Sequence, residues 1–481
     1  VEDETTESVQ LTVASMLFGF LAFDILLVYF VTYPDPQVQG EAYKMIATTV
    51  SIFMSVQMNQ AIFTFFLKQV VKAPPPRGLG FGPPGHWHYI VVGVILLAVF
   101  FTGISVFSYR WREDLEKLFA VRTIGGHLAA FAGISLFGHL QLKVTLVYGY
   151  GMTGGIAVAV LAMVTFPLLN MSSTYIRNRI FAEEQGLVSE PVEEEETWVE
   201  NLHEGEDEAY ALVVSFCISQ IITMGVCGQM EHVQDAATEH TLREVLFMTF
   251  WGVLSLFLLM AATWIRYHCE SAHRQKPGRF NRKRTAENLQ NLMACVMSWC
   301  FLATSTWGLR LVIHMPELAR ITSAFCVTLV AIVCIVLLDR LADIFRDRKA
   351  LQEIGDDGEV EAMMESGDKV GILVDSGTHE KTLRTVINGL ALLVGLTWDL
   401  AFEASNEVIV EGSSFSRKHP VICEIIIATM LAGIVMPAWL KHLVPKARMT
   451  DLEIEESSNL VKQMKNEVFT NMKRNFASKR R

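Results

Sequence analysis

Eleven long apolar stretches, each of roughly 18–25 residues, follow one another between Leu11 and Leu443. A helix of about 20 apolar residues crosses the hydrocarbon core of a bilayer, which is about 30 Å thick. A water-soluble domain of this length would show shorter, amphipathic elements instead. The sequence therefore predicts an all-α fold, a polytopic transmembrane helix bundle of about 11 spans.

The composition agrees with a chain that is mostly in lipid. Hydrophobic residues make up 51% of its 481 residues and charged residues only 19%, below the quarter or so that is usual in soluble proteins. Loops, an acidic segment and a C-terminal tail account for the remainder, so no large soluble domain is expected. The chain begins at Val1, not Met, and a helix before it would raise the span count to 12.

The predicted spans divide into two groups around an acidic segment. We expect a first transmembrane part of five spans (1–182), an acidic cytoplasmic linker (183–208), a second transmembrane part of six spans (209–445) and a cytoplasmic amphipathic basic tail (446–481). The predicted spans lie at residues 11–33, 43–67, 88–108, 121–141, 149–170, 209–230, 244–265, 288–309, 321–342, 384–403 and 420–440.

The distribution of Lys and Arg predicts how the bundle is oriented, because positive residues stay on the cytoplasmic side. Basic clusters follow the third, fifth, seventh and ninth spans, and the largest runs from Arg266 to Arg284. The main exception is the loop around the Pro- and Gly-rich segment 73–85. We therefore expect an integral membrane protein with its N-terminus outside and its C-terminus in the cytoplasm, in a membrane that the sequence does not identify.

Motifs for soluble chemistry are missing from the sequence. It contains no HExxH, GxSxG, Rossmann or P-loop pattern. Seven of the eight cysteines lie in predicted spans, without the spacing of a disulfide framework or a zinc site. The net charge of −11 comes from acid concentrated in two segments, so no nucleic-acid partner is predicted. No cofactor is predicted, any metal is unknown, and an enzyme is not indicated.

Acidic residues inside the apolar spans are the most informative candidates for function. A charge at the bilayer centre costs about 2.5–3.5 kcal/mol on insertion scales, so it must face protein or water. Asp24 lies in the first span, Asp399 and Glu403 lie four residues apart in the tenth, and Glu424 is near the start of the eleventh. The last three are expected in the outer half of the membrane, where acidic groups attract cations or carry protons.

Other polar residues in the spans add candidates. The amides of Gln57, Asn59 and Gln60 lie together in the second span and are able to line a polar path or to bond neighbouring helices. His127 and His139 lie in the fourth span about 120° apart around the helix, which argues against both as axial ligands of stacked haems on one side of it. Either is a candidate proton relay or a packing residue. Arg310, at the outer end of the eighth span, is a possible counter-charge for Asp399 or Glu403.

These residues favour a membrane transport protein, either a channel or a carrier, for a cation or a proton. A second hypothesis is a non-transporting scaffold, receptor or accessory subunit whose acidic linker and tail bind protein partners. A third is an intramembrane enzyme or redox protein. The lipid bilayer is a partner under all three, and the substrate and oligomeric state stay open.

Overall fold

The computed structural model describes residues 24–33, 36–72, 87–184, 193–228, 240–272, 282–355, 376–412 and 419–447, with a few single positions before residue 24. Within them the fold is all-α. The helices are α1 (24–31), α2 (Pro36–Phe65), α3 (Trp87–Arg110), α4 (Leu115–Leu142), α5 (Gly151–Glu184), α6 (Glu193–Cys227), α7 (Leu242–Ala272), α8 (Arg282–Arg310), α9 (Pro316–Gly355), α10 (Ser376–Gly412) and α11 (Pro420–Ala438).

Ten of these helices, α2 to α11, are long and apolar enough to span a membrane, which confirms the predicted fold class. Three of them continue into a π-helical turn, at Phe66–Val71, Lys143–Val147 and Trp439–Leu443. Much of the first half of the first predicted span (11–33) lies outside the described residues, as do segment 73–85 and almost all of the tail 446–481.

The even-numbered helices form an inner ring. Each of α2, α4, α6, α8 and α10 packs against the next, and α10 closes the ring against α2. Because one odd-numbered spanning helix separates each from the next, all five run in the same direction. The contacts agree, since α2 and α4 meet at Ser51 with His127 and again, 12 residues further along both helices, at Phe63 with His139.

The odd-numbered helices form an outer layer around this ring. Helices α3, α5, α7 and α9 each pack on the even-numbered helix that follows them, and α11 packs on α2. Between 56% and 78% of the most apolar stretch of each ring helix is buried, against 11–39% for the outer helices. Exposed Val, Leu, Ile and Phe side chains on the outer helices, among them Val99, Phe257 and Ile434, provide an apolar surface suited to lipid.

Glycines allow the ring helices to approach one another closely. A Cβ at Gly133 of α4 would lie 2.7 Å from a methyl of Val213 on α6, and one at Gly395 of α10 would lie 2.7 Å from a methyl of Ile52 on α2. Small residues at such crossings are typical of membrane helices, where packing replaces the hydrophobic effect as the driving force. Indole hydrogen bonds also join helices, as from Trp299 of α8 to Ser215 of α6 at 3.1 Å.

The acidic segment differs from the predicted linker. Residues 193–208 form the first turns of α6, with Trp198 and Leu202 each 1% exposed. Glu206 is 1% exposed as well and pairs with Arg177 of α5 at 2.8 Å, while Asp207 pairs with Arg284 of α8 at 2.7 Å. The sequence pattern suggested a solvated linker because the arginines that neutralise its carboxylates lie far away in the chain.

Candidate functional site

His127 lies at the centre of a chain of polar contacts that joins three helices of the ring. Its side chain is fully buried on α4. Nδ1 lies 3.0 Å from the Ser51 hydroxyl oxygen on α2, and Nε2 lies 3.1 Å from Oε1 of Glu208 on α6. Both ring nitrogens therefore face a group that binds a proton or donates one.

Close backbone packing places the histidine opposite this carboxylate. Gly126, the residue before His127, packs directly on Gly205 of α6, where an added Cβ would lie 3.0 Å from the Gly205 carbonyl oxygen. Ser55 on α2 donates a hydrogen bond of 3.2 Å to the Ile124 carbonyl on α4. The three helices are thus held together within one helical turn of His127.

The contacts around His127 are compatible with two protonation states. The Ser51 hydroxyl lies 2.9 Å from the Thr48 carbonyl and 3.0 Å from His127 Nδ1, and it has one hydrogen to donate. If it donates to Nδ1, a neutral His127 places its Nε2–H toward Glu208. If it donates to the carbonyl, Nδ1–H donates to Ser51 and the ring is an imidazolium paired with Glu208. Rotation of one hydroxyl hydrogen therefore accommodates a proton, without movement of heavier atoms.

Glu208 connects this chain to space that water can reach. It lies near Arg122 of α4 as well as Cys295 of α8, yet 35% of its side chain is exposed. A side chain exposed to that extent contacts at least about one water molecule. The carboxylate thus lies between buried His127 and a place that water can reach.

A second polar cluster lies between α2 and α10. Asp399 is 1% exposed and Glu403 is 7% exposed. The Gln57 side chain faces Asp399, and Gln60 donates a hydrogen bond of 3.4 Å to Glu403. The aromatic rings of Phe53 and Phe402 meet beside them, at a centroid distance of 4.3 Å. The structure therefore brings together four of the residues predicted from the sequence, in a closed packing.

Other predicted candidates lie elsewhere. Asp24 is exposed on α1, and Asn59 is buried on α2. His139 stacks on Tyr89 at 4.7 Å, on a different face of α4 from His127. Arg310, the last residue of α8, donates to the carbonyls of Ile313 and His314 in the segment that follows. The Glu424 side chain lies outside the described part of the chain.

Ser51 and Glu208 are site residues that the sequence did not identify. Serine is common in membrane helices, where it often bonds its own backbone, as Ser51 does with Thr48. Glu208 directly precedes the apolar stretch of α6, a position typical of a hydrated helix end. Its sequence signal was its place within a dense acidic run, which pointed to solvent.

The His127 site offers one histidine and one carboxylate, fewer ligands than a metal ion requires. Among the described residues, one group of Cys, His and acidic side chains has the spacing to hold a metal ion, and it lies outside this site. No protein-family model, curated protein or solved structure matches the chain. What this membrane protein does must therefore be argued from the geometry of its own side chains.

Proposed function

We propose that this protein transports protons, or couples a proton to the movement of another solute, through the inner ring of five helices. The observation that carries the proposal is the Ser51–His127–Glu208 chain, which accommodates a proton at His127 with its oxygen and nitrogen atoms in place. The unperturbed pKa of histidine, about 6.5, makes it the usual side chain for proton exchange near neutral pH.

One feature of the chain of contacts supports transport rather than a purely structural role. The Glu208 side chain is 35% exposed, so water is able to exchange a proton with its carboxylate. A buried histidine beside a carboxylate that water can reach is typical of a proton relay in a membrane protein.

Reconstituted liposomes test the proposal. Purified protein is inserted into vesicles that contain a pH-sensitive dye, and a potassium diffusion potential drives protons across the membrane. We expect proton flux that falls about a hundredfold or more in Glu208→Gln and in His127→Gln, since each removes a group that exchanges the proton. The matched control is Thr165→Val on outer helix α5, because the Thr165 hydroxyl donates only to a carbonyl of its own helix.

Flux in the two variants tests the site, and vesicles with sodium or potassium gradients test which ion is carried. Flux and pH dependence in Glu208→Gln equal to those of the unchanged protein would overturn the assignment of this site. Parallel vesicles with sodium or potassium gradients distinguish a proton path from a cation path.

A non-transporting scaffold is the second candidate. The closed packing of Asp399 and Glu403 favours it, because buried acids that contact amides of a neighbouring helix also fix how helices associate. Absence of proton, sodium and potassium flux from protein that is folded and oriented in the vesicles would support the scaffold and contradict our first proposal.

A further inference from the structure

Three side chains with metal-binding atoms converge where α6 ends and α7 begins. Cys227 is the last residue of α6, His240 directly precedes the first turn of α7, and Glu244 lies within that turn. Cys227 Sγ lies 4.0 Å from His240 Nδ1, and the same nitrogen lies 3.6 Å from Glu244 Oε2. One ligand atom from each residue lies within 4.8 Å of the other two.

These separations are close to those of a tetrahedral zinc site. Zinc binds sulfur at about 2.3 Å and nitrogen or oxygen at about 2.0–2.2 Å, so tetrahedral angles place S and N about 3.6 Å apart and N and O about 3.3 Å apart. The observed distances of 4.0 and 3.6 Å exceed these by a few tenths of an ångström. A small inward movement of the Cys227 and Glu244 side chains is enough to coordinate one ion.

The surrounding structure holds the three side chains in position. The His240 ring stacks on the buried indole of Trp307 of α8, at a centroid distance of 3.8 Å and an interplanar angle of 19°. Glu244 accepts a hydrogen bond of 2.7 Å from the Thr241 amide and so caps α7. The same oxygen, Oε2, lies 3.6 Å from His240 Nδ1. It keeps a second lone pair for a ligand while it accepts the capping hydrogen bond.

The position along α6 also suits a cation. Cys227 is at the C-terminal end of its helix, followed by Gly228 with a φ of 77°. Carbonyl groups at a helix C-terminus carry partial negative charge, which favours a cation. A cation bound there in turn stabilises the thiolate form of the cysteine that coordinates it. The set of one thiolate, one imidazole and one carboxylate suits zinc better than calcium or magnesium, which prefer oxygen ligands only.

We propose that Cys227, His240 and Glu244 bind one zinc ion, with water as the fourth ligand. The ion joins the end of ring helix α6 to the start of outer helix α7, next to Trp307 of ring helix α8. This site is separate from the His127 chain, and its test does not depend on transport.

Protection of a thiol in the unchanged protein gives the first test. The full chain, freed of any affinity tag and of metal, is treated in detergent with a maleimide, with and without zinc chloride, and labelling of each cysteine is read by peptide mass spectrometry. We expect zinc to protect Cys227 strongly and to leave Cys326, an exposed cysteine on α9, unchanged. Equal labelling of Cys227 with and without zinc would overturn the proposal.

Cobalt binding gives the second test. We expect one equivalent of Co²⁺ to produce a thiolate-to-cobalt absorption band, which Cys227→Ser abolishes and the control Cys326→Ser retains. Glu244→Gln is the sharpest variant, because glutamine keeps the capping box while it removes the carboxylate ligand. Its cobalt affinity should fall by about tenfold or more. A band that persists in Cys227→Ser, or an affinity unchanged in Glu244→Gln, would contradict this ligand set.

Discussion

The inner ring and the outer layer of this bundle are equally helical but differ in what they bury. Apart from Arg177 of α5 and His240 at the start of α7, every buried charged or histidine side chain in the described part of the chain lies on a ring helix or its π-helical turn. These residues are Glu41, His127, His139, Lys143, Glu206, Asp207, Asp399 and Glu403.

Buried polar groups on the outer helices are of a different kind. They are mainly hydroxyls that donate to their own backbone, such as Ser255 to Trp251 and Thr263 to Leu259. A hydroxyl satisfied by its own helix needs no neighbour, whereas a charge in lipid requires one. The comparison shows that buried charge is concentrated in the ring, where neighbouring helices can pair it, and that the outer helices bury mainly hydroxyls.

The largest expected effect concerns Arg177, the charged anchor between the two layers. Its guanidinium pairs with Glu206 at 2.8 Å, and Glu206 is 1% exposed. Arg177→Met leaves that carboxylate with weaker partners, so we expect a loss of about 3–5 kcal/mol of stability, read as a lower thermal unfolding temperature in detergent. Exposed Arg179 on the same helix provides the control, and an equal effect of Arg179→Met would remove the anchor role.

A second prediction concerns glycines in the two layers. Gly126→Ala places a methyl against the Gly205 backbone, which cannot yield as a flexible side chain would. We expect a loss of about 1–3 kcal/mol and weaker proton flux, because His127 moves relative to Glu208. Gly433 on outer helix α11 has nothing within 4 Å of an added Cβ, so Gly433→Ala should change neither. Similar behaviour of both variants would contradict the tight ring packing.

A third prediction concerns Asp114, which directly precedes ring helix α4 and its candidate membrane-spanning segment. Asp114 accepts a hydrogen bond of 3.1 Å from the Lys117 amide as the helix cap. The hydrogen bond from the Lys117 side chain, followed by that from its amide, holds the pKa of Asp114 below its usual value. Asp114→Ala should cost about 1 kcal/mol.

The pH dependence of this cap has a defined sign. Because folding lowers the pKa of Asp114, its contribution to stability is present at neutral pH and is lost as the pH falls through the lowered value. Unfolding temperatures of Asp114→Ala and the unchanged protein should therefore converge in acid. Glu113, exposed and adjacent, is the control, and a constant difference at all pH values would disprove the cap mechanism.

The smallest expected effect separates the two polar clusters within the ring. Asn has nearly the shape of Asp, and Asp399 is sealed between α2 and α10. If the proton site is at His127, Asp399→Asn should keep proton flux within about threefold, a change of less than about 0.7 kcal/mol. A much larger loss of proton flux in liposomes would indicate that the path runs beside α10. It would support Asp399 as the transport residue, a candidate that the sequence suggested.

The sequence identifies unusual polar residues by their type, but it does not show which residues they contact. Asp399, Glu403, Gln57 and Gln60 were recognisable because each is unusual in an apolar stretch, and the structure places them together. Glu208 was not recognisable, because its partner His127 is 81 residues earlier in the chain. Only helix packing brings Glu208 Oε1 to 3.1 Å from His127 Nε2. The zinc-binding group was missed for a similar reason, since Cys227 and His240 lie 13 residues apart in the chain, without the close spacing of a sequence motif.

The sequence by itself determined that this chain is a helical membrane protein, because the length of an apolar stretch is set by the thickness of the bilayer and by nothing distant in the chain. The outer helices are more apolar as a group, but the two layers overlap in hydropathy, so only the tertiary structure decided which helices form the ring. Side chains far apart in the chain, such as Gly126 with Gly205 and Gly395 with Ile52, select the neighbours. The direction in which each buried charge points depends on those contacts.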